Sequence, residues 1–237
     1  MKKTPFFDIH TQLGAKISLF AGYQMPIQYS GVKEEHLAIR NKLGVFDVSH
    51  MGEFLIEGPN ASNLLQFICS NDISKLIPGK AQYNYMPNEG GGVIDDLIVY
   101  QLQAEKYLLV VNASNIEKDW DHILKQNQKF KAKLENTSEK TALLAIQGPK
   151  AIAAMQSICD AQIDQLSYYS HTNTTFAEVK NVLVATTGYT GAGGIEIYFD
   201  VGEAEKIWKA VMEAGAHFGI LPVGLAARDT LRLEMGY

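Results

Sequence analysis

The sequence predicts an α+β fold in which a smaller domain is inserted into a larger, discontinuous one. From residue 53 to about residue 138, the apolar patterns follow the order β-α-β-β-β-α-β. This order is close to a ferredoxin-like unit with one extra strand, βαβ(β)βαβ. The residues before this stretch are too few to fold alone, so we expect them to pack with the residues after it. The predicted domains are therefore residues 1–52 plus 139–237, and residues 53–138.

The composition is typical of a soluble globular protein with a sizeable core. Of the 237 residues, 46% are hydrophobic and 20% are charged, and the net charge is -5. Acidic and basic residues are mixed along the chain, so no basic patch indicates a nucleic-acid partner. Because no apolar run could span a bilayer and the amino terminus lacks a secretory signal, no membrane partner is expected. Cys69 and Cys159 are predicted to be reduced core thiols, which favours the cytoplasm.

The elements up to the end of the insertion follow from apolar spacing. Residues 32–44 have helical spacing, and Gly44 is expected to end that helix. In the insertion, EFLIEGPNASNLLQFICS predicts a strand and then a helix that begins near Pro59. Three strands follow, AQYNYM, GVIDDLIVYQL and KYLLVV. Residues 114–128 form an amphipathic pattern, and FKAKLENTS alternates as a strand.

The polar stretch LENTSEKT, residues 134–141, is the predicted boundary at which the larger domain resumes. A strand, ALLAIQ, comes next, and a helix begins at GPKAIAAM. The remaining apolar patterns predict strands near 165–169, 174–179, 181–187 and 194–200, and helices at 202–216 and from 223 onward.

Two adjacent acids lie within an apolar strand, GGGVIDDLIVY, residues 90–100. Because successive strand side chains point to opposite faces, Asp95 or Asp96 must face the drier side. An acid here can accept backbone N–H bonds from the preceding turn, which is the favoured role for Asp95. Asp96 lies deeper in the run. A desolvated carboxylate there suits a proton acceptor or a partner for a cationic substrate.

For Glu196 and for the two arginines near the end of the chain, the sequence is compatible with two roles each. GYTGAGGIEIY, residues 188–198, lacks both the dinucleotide and the P-loop pattern. Its strand places Glu196 either in water or in a polar pocket that a ligand can approach past the glycines. Arg228 and Arg232, one helical turn apart, form either a solvated face or a contact for a carboxylate. His50 is expected to be structural, and no ligand spacing predicts a metal site.

These motifs together resemble the aminomethyltransferase, or T-protein, family of the glycine cleavage system. The motifs occur in order over essentially the whole chain: GVFDVSHMGE, ND at 71–72, GKAQY, GGVIDDLIVY, VVNASNIEKD, ALLAIQGP, TGYTGAGGIEIY and GLAARDTLRLEMGY. The resemblance implies a transferase of glycine catabolism and one-carbon metabolism. It would transfer the one-carbon unit of an aminomethyl group on the lipoyl arm of H-protein to tetrahydrofolate. The products would be methylenetetrahydrofolate, ammonia and dihydrolipoyl H-protein.

The resemblance also implies roles for individual residues. Asp96, the second acid of IDD, would be the essential catalytic residue beside the attacking folate nitrogen. Glu196 would bind the pterin and Arg228 the folate, within a folate-binding discontinuous domain. Tetrahydrofolate and lipoylated H-protein are then the expected partners, with no metal. Six further positions are predicted around the folate: Tyr83, Tyr100, Asn112, Tyr189, Tyr237 and Met51.

The chain departs from the family pattern in two places. Ala192 and Gly193 stand where the family often has acidic residues, and the family's C-terminal β-barrel is absent. Because the chain ends within a helical pattern, we expect a fragment whose folate pocket is open on one side.

One alternative function is that of a related folate-dependent demethylase domain or an iron–sulfur repair protein, although the repair protein's KGCYxGQE motif is not found. The other alternative is a folate-binding or H-protein-docking module without chemistry.

Overall fold

The computed structural model describes residues 1–237, a mixed α/β chain. In chain order, its strands and helices are β1 (Lys2–Lys3), α1 (Phe7–Gln12), β2 (Lys16–Phe20), β3 (Tyr23–Gln28), α2 (Val32–Asn41), β4 (Gly44–Asp47), β5 (Gly52–Glu57), α3 (Ala61–Ile68), β6 (Ala81–Pro87), β7 (Val93–Gln103), β8 (Lys106–Val111), α4 (Ile116–Asn127), β9 (Lys133–Asn136), β10 (Thr141–Gln147), α5 (Ala151–Met155), β11 (His171–Phe176), β12 (Val179–Ala185), β13 (Gly194–Asp200), α6 (Ala204–Gly215), β14 (Leu221–Pro222) and α7 (Leu225–Glu234).

These elements fall into two units. The first, unit 1, comprises Met1–His50, Thr141–Tyr168 and Thr172–Tyr237. The second, unit 2, comprises Met51–Lys140 together with Tyr169–His171. The short segment Tyr169–His171 lies apart in sequence from the rest of unit 2. Its backbone joins that unit because the carbonyl oxygen of Tyr169 accepts a hydrogen bond from the backbone amide of Ala81.

Unit 1 is built on a six-stranded sheet in the order β11-β12-β13-β10-β4-β14, with a smaller sheet in the order β1-β3-β2. β10 is antiparallel to both β13 and β4. Ile195 and Ile197 of β13 join the apolar core, together with residues of α5 and α6 such as Trp208. Because strand side chains alternate, Glu196 lies on the opposite face of the sheet, away from this core.

Unit 2 contains a five-stranded sheet in the order β6-β7-β8-β5-β9, in which every neighbouring pair is antiparallel. The element order agrees with the predicted β-α-β-β-β-α-β. Leu97 and Val99 of β7 pack in one apolar cluster with residues of α3 and α4, such as Leu64 and Ile123. Alternation therefore places Asp95 on the helix-covered face of β7 and Asp96 on the other face.

The predicted role of Gly44 as a helix stop is wrong. The helix α2 ends at Asn41, and Gly44 begins β4. A Cβ at Gly44 would lie 2.5 Å from the side chain of Val223, so glycine permits close packing at this position. The strand predicted near 165–169 is also absent. Ile163–Gln165 form a single 3₁₀ turn there instead, and the next strand begins at His171.

Candidate functional site

The adjacent acids of β7 have different surroundings. Asp95 is 5% exposed, whereas Asp96 is only partly buried. The buried member of the pair is therefore Asp95, which corrects the prediction that Asp96 is the buried acid. The physical reason is the position of α4, because Asn115, the residue immediately before that helix, reaches Asp95 from the covered face.

Asp95 organises the turn that leads from β8 into α4. Its Oδ2 accepts from the backbone amide of Asn112 at 3.0 Å. Its Oδ1 accepts from Asn112 Nδ2 at 2.9 Å and from Asn115 Nδ2 at 2.6 Å. The prediction that Asp95 accepts N–H bonds from the turn before β7 is therefore wrong, because Asp95 faces the turn after β8. The glycine turn before β7 is instead held by Asn88, which accepts from the amides of Gly90 and Gly92.

Asp96 has a fixed orientation and an open side. Tyr83 donates its hydroxyl to Asp96 Oδ2 at 3.1 Å, and Asn112 donates its amide nitrogen to Asp96 Oδ1 at 2.9 Å. Burial and the negative charge of Asp96 raise the pKa of the Tyr83 phenol, which therefore remains a donor at neutral pH. The structure brings together three of the predicted site residues, Asp96, Tyr83 and Asn112. Their arrangement presents an oriented carboxylate to a cationic or N–H-bearing group.

Two other predicted residues of unit 2 are buried. Tyr100 has no exposed surface, and its ring packs edge-on against His171 with 5.6 Å between ring centroids. Met51 is buried as well. Contact of either side chain with a ligand stays a prediction, and in this conformation both contribute to packing.

Glu196 occupies a polar environment on β13 in unit 1. It is 6% exposed and accepts a hydrogen bond from the Thr187 hydroxyl. Burial raises the pKa of this carboxyl, while the Thr187 hydrogen bond, the charge of Arg228 and Tyr198 lower it. The structure therefore excludes the alternative in which Glu196 points into water.

Arg228 and Arg232 of α7 have different partners. The Arg228 guanidinium lies over the ring of Tyr189, with 4.5 Å between its central carbon and the ring centroid. This stacking holds a cation near Glu196, whose pKa it lowers. Arg232 instead donates to the carbonyl oxygen of Tyr237 and lies 3.7 Å from an Asp229 oxygen. Only Arg228 has the environment expected of a ligand-binding arginine.

His50, predicted to be structural, is buried beside this group. The rings of Phe20 and Tyr23 approach its imidazole edge-on, with centroids 5.3 and 6.4 Å away. No hydrogen-bond partner reaches its Nδ1. Burial and the charge of Arg228 lower the pKa of His50 to about 4, against the opposing charge of Asp47, so the ring is neutral near pH 7.

A cavity of about 440 Å³ lies beside the glycine-rich loop of unit 1. Thr187, Gln147, Tyr168 and Tyr237 are among the residues that line it. Tyr237, a predicted folate contact, is 52% exposed at this cavity. Gln147 is buried and donates to the carbonyl oxygens of Thr187 and Ile195, which fixes the loop against β13.

Sequence reasoning did not single out Gln147, Thr187, Asn115 or Asp119. A signal existed for the last two, because Asn115 and Asp119 are four residues apart in VVNASNIEKD, at the start of a predicted helix, and that spacing places two side chains on the same side. Gln147 and Thr187 carry no such signal, since their neighbours are brought together by the tertiary fold.

No group of three or more His, Cys, Asp and Glu side chains is arranged to hold a metal ion. None of the helices has both the length and the apolar character required to cross a membrane.

Comparison with known proteins places the chain in a defined context. A family model described as the GCVT N-terminal domain matches residues 6–237. An aminomethyltransferase from Bacteroides fragilis is 58% identical over 237 residues, which are 100% of this chain and 65% of that protein. The chain thus spans less than two thirds of the length of this relative.

Solved structures give the same picture. The crystal structure of glycine cleavage system aminomethyltransferase T from Bartonella henselae matches with a TM-score of 0.91 and 34% identity, over 100% of this chain and 63% of that one. A heterotetrameric sarcosine oxidase from Corynebacterium sp. U-96 matches with a TM-score of 0.60 and 14% identity, over 81% of this chain and 94% of that one. At that identity the second match indicates a shared fold alone.

Proposed function

We propose, since this chain belongs to the GCVT N-terminal domain family, that the protein is a tetrahydrofolate-dependent aminomethyltransferase of the glycine cleavage system. The reaction moves the methylene carbon of aminomethyl-lipoyl H-protein to tetrahydrofolate. That carbon leaves the amino nitrogen and the lipoyl sulfur and comes to bridge two folate nitrogens. The two protons lost by those nitrogens end on ammonia and on the dihydrolipoyl thiol, so atoms and charge balance.

One observation supports this function more than the others, namely the oriented carboxylate of Asp96. Tyr83 and Asn112 each hold one of its oxygens, and the side chain keeps an exposed side. A carboxylate fixed in this way can orient an attacking amine, stabilise the positive charge that develops on it, or accept its proton. Loss of one preorganised electrostatic group of this kind typically raises the barrier by about 3–4 kcal/mol.

The folate-binding role falls to residues of unit 1. A pterin ring presents N–H donors, and the buried Glu196 carboxylate is an acceptor for such groups. Arg228, stacked on Tyr189, supplies a cation for a carboxylate or a carbonyl of the folate. Tyr237 is proposed to add to this binding. Contact of the folate with Tyr100 and Met51, which belong to unit 2, is a separate prediction.

The organisation of the protein belongs to the same proposal. Residues 1–52 plus 139–237 are proposed as the folate-binding domain, and residues 53–138 as an inserted ferredoxin-like domain. Lipoylated H-protein is the proposed partner that delivers the aminomethyl group, and the proposed location is the cytoplasm.

The experiment that tests this function is an H-protein-dependent transfer assay with the purified protein and Asp96→Asn. We expect methylenetetrahydrofolate from the wild type and a rate about 10²–10³-fold lower from the variant. Asp121→Asn, which changes an exposed acid of α4, is the matched control and should keep the wild-type rate. Saturable folate binding without any transfer would indicate the binding-module alternative instead.

A further inference from the structure

We propose that Asp119 is a positioning residue that acts through Asp95 and Asn112 to hold the Asp96 carboxylate in its working orientation. The positioning itself is a property of the fold. Its effect on transfer rests on the function proposed above.

Asp119 is a buried acid without an ordinary partner. It lies in α4, has no exposed surface, and neither of its carboxyl oxygens is reached by an N–H or hydroxyl donor. Asn115, four residues before Asp119, donates to Asp95 Oδ1 at 2.6 Å, so the Asp95 carboxyl lies on the side of the helix that carries Asp119. After burial, Asp95 does most to raise the pKa of Asp119. Two neighbouring carboxyl groups can form a hydrogen bond only when one of them carries a proton. Asp95 already accepts N–H bonds from Asn112 and Asn115, so the proton resides on Asp119.

A path of hydrogen bonds leads from Asp95 to Asp96, and a protonated Asp119 would extend it by donating to Asp95. Asp95 Oδ1 accepts from Asn112 Nδ2 at 2.9 Å. The same Asn112 nitrogen donates to Asp96 Oδ1 at 2.9 Å and to the Asp96 carbonyl oxygen at 3.1 Å. The position of the Asn112 amide therefore depends on Asp95, and the orientation of Asp96 depends on Asn112.

Packing alone does not account for an acid at this position. Ile116, Trp120 and Ile123 of the same helix pack into the apolar cluster of unit 2. A buried polar group that lacks N–H and hydroxyl donors is costly, and an apolar residue of similar size would avoid that cost. An acid in such a place fits a role in which its hydroxyl donates to Asp95.

The protonation of Asp119 is sensitive to pH in the physiological range. Burial and Asp95 raise the pKa of Asp119 to about 8, with a smaller contribution from Asp96 and an opposing one from Lys118. These are the charged groups that face it, and the Lys118 ammonium donates to the Ile94 carbonyl at 2.6 Å. Above pH 8, loss of the proton places two negative charges side by side, which removes the donor that fixes Asp95.

The test compares Asp119→Asn and Asp119→Leu with wild type and with the exposed-acid control Asp121→Asn. An asparagine amide can donate to Asp95 as the protonated acid does, whereas leucine cannot. We expect kcat of the wild type to fall as the pH rises through about 8, and the Asn variant to lose that decline. At pH 7 the Asn variant should stay within about 3-fold of wild type. The Leu variant should lose at least about 10-fold in kcat, the size of one buried hydrogen bond, with little change in KM for tetrahydrofolate.

A second measurement separates this inference from the proposed function. Carbon-13 spectra of aspartate-labelled protein give the Asp96 carboxyl resonance, assigned by its absence from Asp96→Asn. We expect this resonance to move in Asp119→Leu and to stay near its wild-type position in Asp119→Asn and Asp121→Asn. A moved resonance in a protein without transfer activity supports the positioning and overturns the proposed function. An unmoved resonance, or an active wild type whose rate and pH profile are unchanged in Asp119→Leu, overturns the positioning role.

Discussion

Asp96 of unit 2 and Glu196 of unit 1 are both strand carboxylates on the face opposite their unit's core, yet they are held differently. Asp96 is partly exposed and takes one hydrogen bond from Tyr83 and one from Asn112, both neutral donors. Glu196 is buried, is bonded to Thr187 and lies in the field of the Arg228 cation. An exposed, oriented carboxylate can respond to charge that develops during a reaction, whereas a buried, charge-compensated one is suited to recognition. For the proposed function, this comparison favours a chemical role for Asp96 and a binding role for Glu196.

The largest effect is expected for the loop that leads into Glu196. Gly194 has a φ of +127°, and a Cβ there would lie 2.3 Å from the Ile146 carbonyl oxygen, so Gly194→Ala requires the backbone to move. We expect a loss of about 3 kcal/mol or more in the free energy of unfolding, measured by urea denaturation. Gly193→Ala is the matched control. Gly193 has a φ of +75° but nothing within 4 Å of its Cβ position, so about 1 kcal/mol is expected. Equal losses for the two variants would show that close packing does not constrain the loop.

A second prediction concerns the acids of unit 2 and the pH dependence of stability. The folded pKa of Asp119, raised by burial to about 8, exceeds the ordinary value of 3.8. The folded state therefore binds more protons than the unfolded state between these values, and wild-type stability falls as the pH rises from about 4 to 8. Asp119→Asn removes this pH dependence, so its unfolding free energy relative to wild type should rise by about 2 kcal/mol from pH 5 to pH 6.5. Parallel stability curves for the two proteins would contradict the raised pKa.

A third, smaller effect is expected at Tyr83. Tyr83→Phe removes the hydroxyl donated to Asp96. It should raise the activation barrier for transfer by about 1 kcal/mol, which lowers the rate roughly 5-fold. Tyr85 lies directly across from Asp96 in the β6–β7 pairing and is similarly exposed, so Tyr85→Phe is the control and should leave the rate unchanged. Equal rates for both variants and wild type would show that Asp96 does not depend on the Tyr83 hydroxyl.

The smallest effect is expected at Arg228. Arg228→Lys keeps the positive charge near Glu196 but loses the planar contact with Tyr189. A loss of roughly 0.5–1 kcal/mol in folate affinity is expected, detectable by calorimetry. The exposed Arg232→Lys serves as the control, and a comparable loss there would show that the stacked arginine has no special role.

Sequence patterns predicted much of the fold, because the spacing of apolar residues and the identity of turn residues determine secondary structure locally. The element order of unit 2 follows from the spacing of its apolar residues, and the strand position of Glu196 follows from alternation. The burial of the two acids of β7 did not follow, since it depends on which face α4 covers, and that is set by tertiary packing. The prediction for Gly44 was wrong for a similar reason. A glycine is needed at this position because the side chain of Val223, which is distant in sequence, packs closely against it, and not because the neighbouring helix ends there.

The candidate site was predicted in part. Spacing and resemblance indicated Asp96, Glu196 and Arg228, and the structure gives each a polar environment suited to its proposed role. Thr187 was missed because its contact with Glu196 forms only when the glycine-rich loop folds back onto β13. Asp119 was missed because Asp95, the partner proposed for it, lies on a different element. The full burial of Tyr100 could not be predicted from the sequence either, since a tyrosine within an apolar strand is compatible with both a core and a binding surface.

The most direct test of the division between chemistry and binding is calorimetric titration of a stable reduced folate into wild type, Asp96→Asn and Glu196→Ala. We predict saturable binding to wild type, a Kd within about 3-fold of it for Asp96→Asn, and binding at least about 10-fold weaker for Glu196→Ala, as expected when a buried acceptor is removed. The opposite pattern, with folate lost in Asp96→Asn and retained in Glu196→Ala, would contradict the account.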